Sequence, residues 1–543
     1  MKRYITSILA FVFAVWASGC TDNFKEYNTD LSGITEEQMQ IDYNHLRIPL
    51  DVIQQGIYFN YDFGKGKNWP FQIMQNLNAD MFSGYMMDYK PHNGGSHNSD
   101  YNLQEGWNGS NWLYTFSYTM PQLKKSEDST RVNYPILHAI TKVLKVEAMH
   151  RLADIYGPII YSNFGHEGGD YHPDTLEEVY YAFFQDLDTA AELFDSNMDR
   201  EAEIALIPKF DVLLDGQLIS WRKFVNSLRM RLAVRIAMAA PAKAQSEFMK
   251  AMEHPAGVFE EAHEMVAVST KKGYSNPLGE INIVWNEAQM NASMESILNG
   301  YEDPRSSLFF EPCAEDAIYT NSEGKTVTVP LKGTFKGIRQ GAMFTNLLYA
   351  GHSKPYVSQS SSAILMTAAE VWFLRAEAAL RGWTGEGAEF CYRQGVATSF
   401  RQWSVTSSVE EYLESDNIGA DYIDAFDPAS NIEARCKVSP RWIESASNEV
   451  KLEKIITQKW LAIFPEGCEA WTEQRRTGYP RLFPVRFNNS RNGIIDTEIM
   501  IRRLNFPAEL ADTDPQQYQA LTAALGGPDH AGTRLWWDTG RNF

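Results

Sequence analysis

Cysteine is scarce in this chain, with five residues in 543. Apart from Cys20 near the start, they are Cys313, Cys391, Cys436 and Cys468, and none of them forms the C-x-x-C spacing of zinc or redox-active dithiol sites. The spacing excludes both of those motifs. It leaves open whether the four thiols pair as disulfides, as an oxidising compartment permits, or stay unpaired as small apolar side chains.

Positive charge is also in short supply. Lysine and arginine total 49 against 69 acidic residues, which gives a formal net charge of -20 at pH 7. A chain with this charge is repelled by phosphate backbones and anionic lipid, so the composition argues against nucleic acid as a partner. Beyond residue 16, no run reaches the roughly 18 uncharged apolar residues of a membrane-spanning helix.

Catalytic motifs are missing as well. The chain has no H-E-x-x-H, no G-x-S-x-G, no phosphate-binding loop and no dinucleotide-binding glycine pattern. The segment 166–174 is rich in metal-ligand atoms, but its spacing matches no standard site, and a solvated loop is the default interpretation. A carboxylate pair for glycoside hydrolysis stays open, because its separation depends on the fold. We expect a protein that is not an enzyme and uses no metal or cofactor.

The first twenty residues are typical of an exported and lipidated protein. Lys2 and Arg3 precede an apolar run over 5–16, and the small residues 17–19 stand directly before Cys20. This order is that of a cleaved signal peptide, and a cysteine directly after the cut is a site for lipid attachment. We predict a signal peptide over 1–19 and a lipid anchor on Cys20. An ordinary cleavage site that happens to precede a cysteine is the alternative.

The body of the chain shows helical periodicity. With 44% hydrophobic and 13% aromatic residues, it can bury a large core. After a polar tether over 20–37, we predict one domain over 38–543 that is mostly α, with long irregular loops and minor short strands. Apolar stripes and alanines at helical spacing indicate tetratricopeptide-like packing in four helix pairs. The predicted pairs lie near 135–196, 220–253, 361–400 and 449–477.

Six segments of the chain resemble the SusD/RagB family of outer-membrane lipoproteins of Bacteroidota, in the order in which that family has them. The segments are 27–30 (YNTD), 151–161 (RLADIYGPIIY), 215–231 (DGQLISWRKFVNSLRMR), 454–460 (KIITQKW), 469–480 (EAWTEQRRTGYP) and 503–507 (RLNFP). The resemblance implies a SusD-like fold in a surface lipoprotein that is held to the outer membrane by its lipid. It further implies that the protein caps a SusC-like TonB-dependent transporter and captures oligomeric nutrient without turning it over.

Most charged and aromatic residues of these segments are predicted to hold the fold together. Trp221, Lys223 and Arg229 lie on or beside one amphipathic helix, where locking helix to helix is the simplest role. The alternating charges around Trp471, in the segment 469–476, suit a buried or half-buried ion-pair network of Glu469, Arg475 and Arg476. Neither group is a predicted ligand site.

Two loop regions that are rich in aromatic and amide side chains are the predicted binding regions. They cover 69–112 and 274–301. Flat rings and amide groups suit sugars, because rings give large contact areas and amides hydrogen-bond hydroxyls. Any one ring can instead fill the core. The candidate ligand contacts are Trp69, Tyr85, Tyr89, Trp107, Tyr274, Trp285, Asn286 and Arg339.

Among these candidates, Trp107 and Trp285 are the preferred residues. Trp112 and Tyr118 are expected to face the core, and the pair Trp536-Trp537 is expected to pack the C-terminal tail. The expected ligand is an oligosaccharide. An oligopeptide is the alternative on the same architecture, followed by a surface glycosidase or a purely structural lipoprotein.

Overall fold

The computed structural model describes residues 39–62, 66, 68–90, 92, 98–165, 171–342 and 347–543. The predicted signal peptide, Cys20 and the tether lie outside the described residues, as does most of the segment 166–174. The chain divides between Ile48 and Pro49, and the packing described below is that of the unit from Pro49 to Phe543.

Eight helices occupy the four predicted ranges, and we number these eight α1 to α8. The first pair is close to its predicted range, and the other three differ from theirs by a few residues at one or both ends. The helices are α1 (Pro135–Tyr156), α2 (Leu176–Ser196), α3 (Leu218–Arg235), α4 (Pro241–Glu253), α5 (Ala368–Leu380), α6 (Ala388–Gln402), α7 (Asn448–Ala462) and α8 (Gly467–Thr477). The mostly α fold with helix pairs is confirmed.

The other elements are short and lie in the connections. The other α-helices of the described chain are Asn44–Ile57, Trp69–Phe71, Ala79–Phe82, Glu105–Asn108, Ser110–Tyr114, Met120–Thr130, Glu201–Ile204, Ile207–Phe210, Pro277–Ile283, Ala292–Tyr301, Ser306–Phe309, Val409–Leu413, Glu509–Thr513 and Pro515–Leu525. The strands are β1 (Met86–Met87), β2 (Met265–Val268), β3 (Gln289–Met290), β4 (Phe310–Glu311), β5 (Ala317–Thr320), β6 (Thr326–Val329), β7 (Lys354–Pro355) and β8 (Ala363–Thr367). Within the described ranges they pair antiparallel as β1–β3, β2–β8, β4–β7 and β5–β6.

Local signals set the ends of the paired helices. Helix α2 begins with a capping box, in which the Thr175 hydroxyl accepts from the Glu178 backbone N–H and the Glu178 carboxylate accepts in return. Helix α1 ends at Gly157, whose φ of 99° is open to glycine and strained for other residues. These caps explain why the predicted bounds of the first pair agree with the structure.

Close approach of small residues holds the pairs together. Helices α1 and α2, α3 and α4, and α5 and α6 pack side by side, and α7 lies across α5 and α6. A Cβ atom at Gly395 of α6 would lie 2.7 Å from the Phe373 ring of α5, so glycine is what lets these two helices meet. Within the described residues, no helix has the length and apolar character needed to cross a bilayer.

A buried network of ion pairs ties the helix pairs to one another. Arg231 of α3 bonds Glu370 of α5 at 2.6 Å, and Arg235 of α3 bonds Glu469 of α8 at the same distance. Lys459 of α7 lies 2.9 Å from the other oxygen of Glu469. Burial alone would raise the pKa of Glu469, but Arg235 and Lys459 hold that pKa well below its ordinary value.

The structural role predicted for the family motifs is confirmed. Trp221 is fully buried, and its indole N–H donates to Asp211 at 3.1 Å. Arg475 donates to the carbonyls of Asp154 and Arg502 at 2.7 Å each, with its guanidinium 3.7 Å from the ring centroid of Trp471. These side chains link α8 to α1 and to the C-terminal segment. The other members behave alike: Lys223 pairs with Glu264, Arg229 with Asp188, and Arg476 with Glu377.

The four cysteines of the body are unpaired. Cys313, Cys391, Cys436 and Cys468 are free and buried. Burial raises the pKa of Cys391 to about 12, so its thiol stays protonated and unreactive at neutral pH. The spacing left open whether the four thiols form disulfides or stay unpaired, and in the structure they are unpaired, small apolar side chains.

Glu147 of α1 makes stability depend on pH. Its carboxylate is fully buried, and the Arg231 guanidinium lies 3.9 Å away. The His150 ring lies 3.7 Å away and is neutral, because burial lowers the pKa of His150 well below its ordinary value. Burial raises the pKa of Glu147 to about 8, against about 4.3 in an unfolded chain. The folded state therefore holds a proton that the unfolded state loses, and this stabilisation is complete below about pH 4.3 and is lost as the pH rises through about 8.

We therefore expect the free energy of unfolding of Glu147→Gln to fall less with rising pH than that of the parent protein. Between pH 6 and pH 8 the parent should lose about 2 kcal/mol more unfolding free energy than the variant, at about 1.4 kcal/mol per pH unit. Urea unfolding at the two pH values measures this difference. Equal losses in parent and variant would show that Glu147 is ionised in the fold.

Candidate ligand-binding surface

The two predicted binding regions meet in the structure. Strand β1 of the first region pairs with β3 of the second, with Met86 opposite Met290 and Met87 opposite Gln289. The Asn291 N–H donates to the Tyr85 carbonyl at 3.1 Å, which extends the pairing by one residue. Segments 85–90 and 285–291 therefore lie side by side although about 200 positions separate them in the sequence.

A small apolar cluster lies beneath this junction. Tyr89 is 6% exposed, and the half-buried Trp107 packs against the same cluster from the one-turn helix Glu105–Asn108. Asn286, at a φ of 56°, places its amide nitrogen 3.3 Å from the Ala350 carbonyl and 3.5 Å from the Tyr89 hydroxyl. The other buried members are Leu77, Met81, Met87, Ile338, Ala342 and Tyr349. The cluster fixes the base of a surface whose outer groups are rings and amides.

Charged side chains hold the two segments together at one edge of the junction. Asp88 accepts from the Lys90 backbone N–H at 2.7 Å and lies 2.5 Å from the His92 ring nitrogen. Lys90 in turn pairs with Glu287 and donates to the Trp285 carbonyl at 3.2 Å. The ammonium group thus joins segment 85–90 to segment 285–291.

His92 connects this edge to Trp107. The two rings are edge-to-face with centroids 5.7 Å apart. Burial alone would lower the pKa of His92, but the hydrogen bond and charge of Asp88 raise it above the ordinary value. The charged edge therefore also positions one of the two preferred tryptophans.

Asp88, His92 and Glu287 are the described residues that could hold a metal ion. Their ligand atoms lie within 4.8 Å of one another. The Lys90 ammonium already neutralises Glu287, and His92 faces Asp88, so the group is balanced in charge without a metal. We assign the group a role in holding the surface together.

Comparison with known proteins identifies the family. The family model described as SusD-like, Susd and RagB outer membrane lipoprotein, matches residues 26–538. The chain belongs to the SusD/RagB family. Comparison with curated proteins gives no match.

Solved SusD homologues share the whole architecture. A SusD homologue from Bacteroides vulgatus ATCC 8482 is 43% identical, with a TM-score of 0.85 over 93% of this chain and 100% of that one. A chitin-binding SusD homologue from Flavobacterium johnsoniae is 36% identical, with a TM-score of 0.84 over 92% and 100%. A homologue from Bacteroides uniformis ATCC 8492 is 32% identical, with a TM-score of 0.79 over 91% and 99%. The resemblance drawn from the sequence is confirmed, and SusD/RagB members are generally binding proteins rather than enzymes.

Four of the eight candidate residues come together in this SusD/RagB protein. Tyr89, Trp107, Trp285 and Asn286 lie on or beside the junction of the two segments, and we call this group the paired-loop surface. Trp107, Trp285 and Asn286 are half-buried, so part of each side chain is open to solvent. Tyr274 is half-buried outside this group, just before the helix Pro277–Ile283. The four residues define the candidate site.

Two candidates are wrong as ligand contacts. Tyr85 is fully buried, its ring lies 5.0 Å from that of Trp460, and its hydroxyl donates to the Trp460 carbonyl. Arg339 is 8% exposed and donates to the carbonyls of Pro484 at 3.2 Å and Ser430 at 3.0 Å. Both polar groups are used within the fold and are not offered to a ligand.

Trp69 belongs to a second group of rings. It is 43% exposed and packs edge-on to Tyr114, with centroids 6.4 Å apart. Tyr118 lies 5.4 Å from Tyr114 and is 53% exposed, so the prediction that it faces the core is wrong. Trp69, Tyr114 and Tyr118, with Tyr61 beneath them, form what we call the tyrosine patch.

The remaining aromatic predictions agree with the structure. Trp112 is 5% exposed and Trp537 is 1% exposed. Trp536 packs on Tyr180 and Tyr181, with centroids 6.2 and 6.4 Å away, and so holds the C-terminal tail against α2.

The spacing of Tyr114 and Tyr118, four residues apart, places both on one side of their helical segment. That spacing is the sequence signal from which the tyrosine patch could have been predicted.

Proposed function

We propose that this SusD/RagB protein captures an oligosaccharide on the paired-loop surface. The observation that carries the proposal is the β1–β3 pairing, which brings the segment of Trp285 and Asn286 beside the segment of Tyr89, and Trp107 packs against the cluster that contains Tyr89. Sugar rings present C–H faces to aromatic side chains and hydroxyls to amides. This surface offers two half-buried indole rings and the Asn286 amide oxygen, which accepts from Gln289 at 3.2 Å and keeps a second lone pair for a ligand hydroxyl. Because the base beneath it is buried and ion-paired, these groups are held in position before the ligand arrives.

The ligand of one homologue and the net charge of this chain narrow the choice of glycan. The 36% identical homologue from Flavobacterium johnsoniae binds chitin. A net charge of -20 disfavours polyanionic glycans through repulsion at long range. We therefore propose a neutral glycan and take chito-oligosaccharides as the first candidates.

The test of this proposal is calorimetric titration of the purified protein. The panel contains chito-, cello- and malto-oligosaccharides and neutral peptides of matched length. Saturable binding of at least one saccharide, with no release of shorter products, is the expected result. Binding of peptides alone would favour the oligopeptide alternative, and the appearance of shorter sugars would favour a surface glycosidase.

The second part of the proposal is delivery to a SusC-like TonB-dependent transporter at the outer membrane. It rests on the family, which is one of outer-membrane lipoproteins, and on the lipidation pattern that ends at Cys20. Lipid attachment would keep the captured glycan beside the transporter, where a freely diffusing protein would lose it.

The anchor and the transporter are tested separately. We expect Cys20→Ser to leave the membrane fraction and the parent protein to copurify with a TonB-dependent barrel from mild detergent. A Cys20→Ser variant that stays in the membrane fraction would exclude the lipid anchor. A parent protein that purifies alone would argue against the transporter complex.

A further inference from the structure

A cavity of about 480 Å³ lies beyond the paired-loop surface, next to the C-terminal helices. It is open to solvent on one side and is lined by the segment 101–108, the segment 490–495 and parts of 505–530. The volume falls within the range of about 300–1,000 Å³ that is typical of small-molecule sites. We call it the C-terminal cavity. No motif in the sequence pointed to it.

The walls of the C-terminal cavity are rigid and partly aromatic. Tyr101 and Phe506 line it, and each is 2% exposed. Phe506 packs edge-on to Trp112 with centroids 5.7 Å apart, and the Arg503 guanidinium lies 4.6 Å from its centroid. Rings fixed in this way give a ligand apolar contact at little entropic cost.

The polar lining includes an acceptor without a partner. The side-chain oxygen of Asn505 is buried and has no hydrogen-bond partner within the protein. An unsatisfied buried acceptor of this kind has lost its hydrogen bond to water without gaining one in the protein. The neighbouring Asp529 is already used, because its carboxylate accepts from the Tyr518 hydroxyl and the Phe506 N–H at 3.1 Å each. Because this oxygen has no access to solvent, the Asn505 side chain must rotate to offer it to a ligand hydroxyl or amide N–H.

The charges around the C-terminal cavity balance. Asp529 pairs with the buried Arg503. Of the remaining lining residues, Glu105 and Arg491 are exposed and of opposite sign. With no net charge to attract an ion, the lining suits a neutral molecule that carries hydroxyl or amide donors.

One short helix connects this cavity with the paired-loop surface. In Glu105–Asn108, Trp107 packs against the cluster beneath the paired-loop surface, whereas Glu105 and Asn108 line the C-terminal cavity. We propose that the cavity takes the terminal sugar unit of a glycan whose following units lie across Trp107. The inference rests on the proposed function and adds a chain-end subsite to it. The limited volume favours a chain end over the interior of a polymer.

The test fills the C-terminal cavity from its exposed rim. Ala511 lines the cavity from the exposed helix Glu509–Thr513, so Ala511→Trp adds bulk there without disturbing the core. Ala523→Trp is the matched control, because Ala523 is exposed on the next helix and does not line the cavity. Asn505→Ala is a second test, since it removes the unpartnered acceptor. Thermal unfolding of each variant checks that the fold is retained.

The readout compares short oligosaccharides with the long polymer that carries the same repeat. We expect Ala511→Trp to weaken binding of the short saccharides at least tenfold and Asn505→Ala to weaken it several-fold. Binding of the polymer, which has few ends, should change less than twofold. Ala523→Trp should resemble the parent protein.

The outcomes separate the two proposals. If short saccharides bind Ala511→Trp and Asn505→Ala as tightly as the parent, while Trp107→Ala loses binding, the chain-end subsite is wrong and the proposed function stands. If Ala511→Trp weakens short and long ligands alike, the cavity does not select chain ends and the inference is likewise wrong. If the parent binds no saccharide at all, both proposals fail together.

Discussion

Arg235→Met is expected to lower the free energy of unfolding by about 3–5 kcal/mol, the usual cost of removing one partner from a buried ion pair. Arg235 has no exposed side-chain area, and it joins Asp154 of α1 to Glu469 of α8. Methionine fills much of the same space but leaves two buried carboxylates without their shared cation. The variant thus separates the loss of charge pairing from the loss of volume.

Equilibrium unfolding in urea, followed by circular dichroism, measures the effect. Lys271→Ala is the control, because Lys271 and Asp215 form an ion pair in which both side chains are 76% exposed. Exposed pairs of this kind contribute about 0–1 kcal/mol, so the control should stay close to the parent. If Arg235→Met falls within 1 kcal/mol of the control, the network does not hold the helix pairs together.

Trp107→Ala and Trp285→Ala are each expected to weaken saccharide binding by about 30-fold. This factor corresponds to about 2 kcal/mol, the usual cost of truncating a central aromatic contact. Both rings are half-buried, so part of each is fixed by the protein and part is open to a ligand. The two losses need not add, because one sugar chain would touch both rings.

A tryptophan elsewhere controls for the loss of an indole. Trp383 is half-buried between α5 and α6 and packs on Phe248, with centroids 5.7 Å apart. Trp383→Ala should bind saccharide like the parent, and calorimetric titration of the three variants gives the comparison. If both Trp107→Ala and Trp285→Ala keep the affinity and the thermal unfolding of the parent, the paired-loop surface is not the saccharide-binding site.

The helical part of the fold could be predicted because its signals are local. The capping box at Thr175, the glycine at 157 and the apolar stripes of α1 and α5 all act within one or two helical turns. The buried network of α8 followed from alternating charges on a helix in an otherwise apolar setting. In these elements, residues near in sequence decide the structure.

The candidate site was less predictable because it depends on contacts between distant residues. The aromatic and amide content of the two loops was visible in the sequence, but their β1–β3 pairing joins residues about 200 positions apart. The Tyr85 hydroxyl donates a hydrogen bond to the Trp460 carbonyl, which is 375 residues away in the sequence. Because no local pattern reveals this partner, the sequence suggested that Tyr85 was free to contact a ligand. Whether a loop aromatic is exposed is decided by such partners.

The predictions for Arg339 and Tyr118 were wrong for the same reason. Arg339 was predicted to contact a ligand and is buried, whereas Tyr118 was predicted to face the core and is exposed. The carbonyls of Pro484 and Ser430 come from distant segments and bury Arg339, which had been expected on the surface. Tyr118 stands near an apolar sequence that suggested the core, yet the tyrosine patch leaves it exposed. The C-terminal cavity is lined by three segments that are spread over more than 400 residues of the sequence. No local pattern within any one of them predicts the cavity.

A crystal structure of the protein with a bound chito-oligosaccharide would show directly whether the paired-loop surface binds the ligand. We expect sugar rings against Trp107 and Trp285, with the Asn286 side chain within hydrogen-bond distance of a hydroxyl or acetamido group. A saccharide bound only over the tyrosine patch around Trp69 and Tyr118, with the paired-loop surface empty, would contradict this expectation.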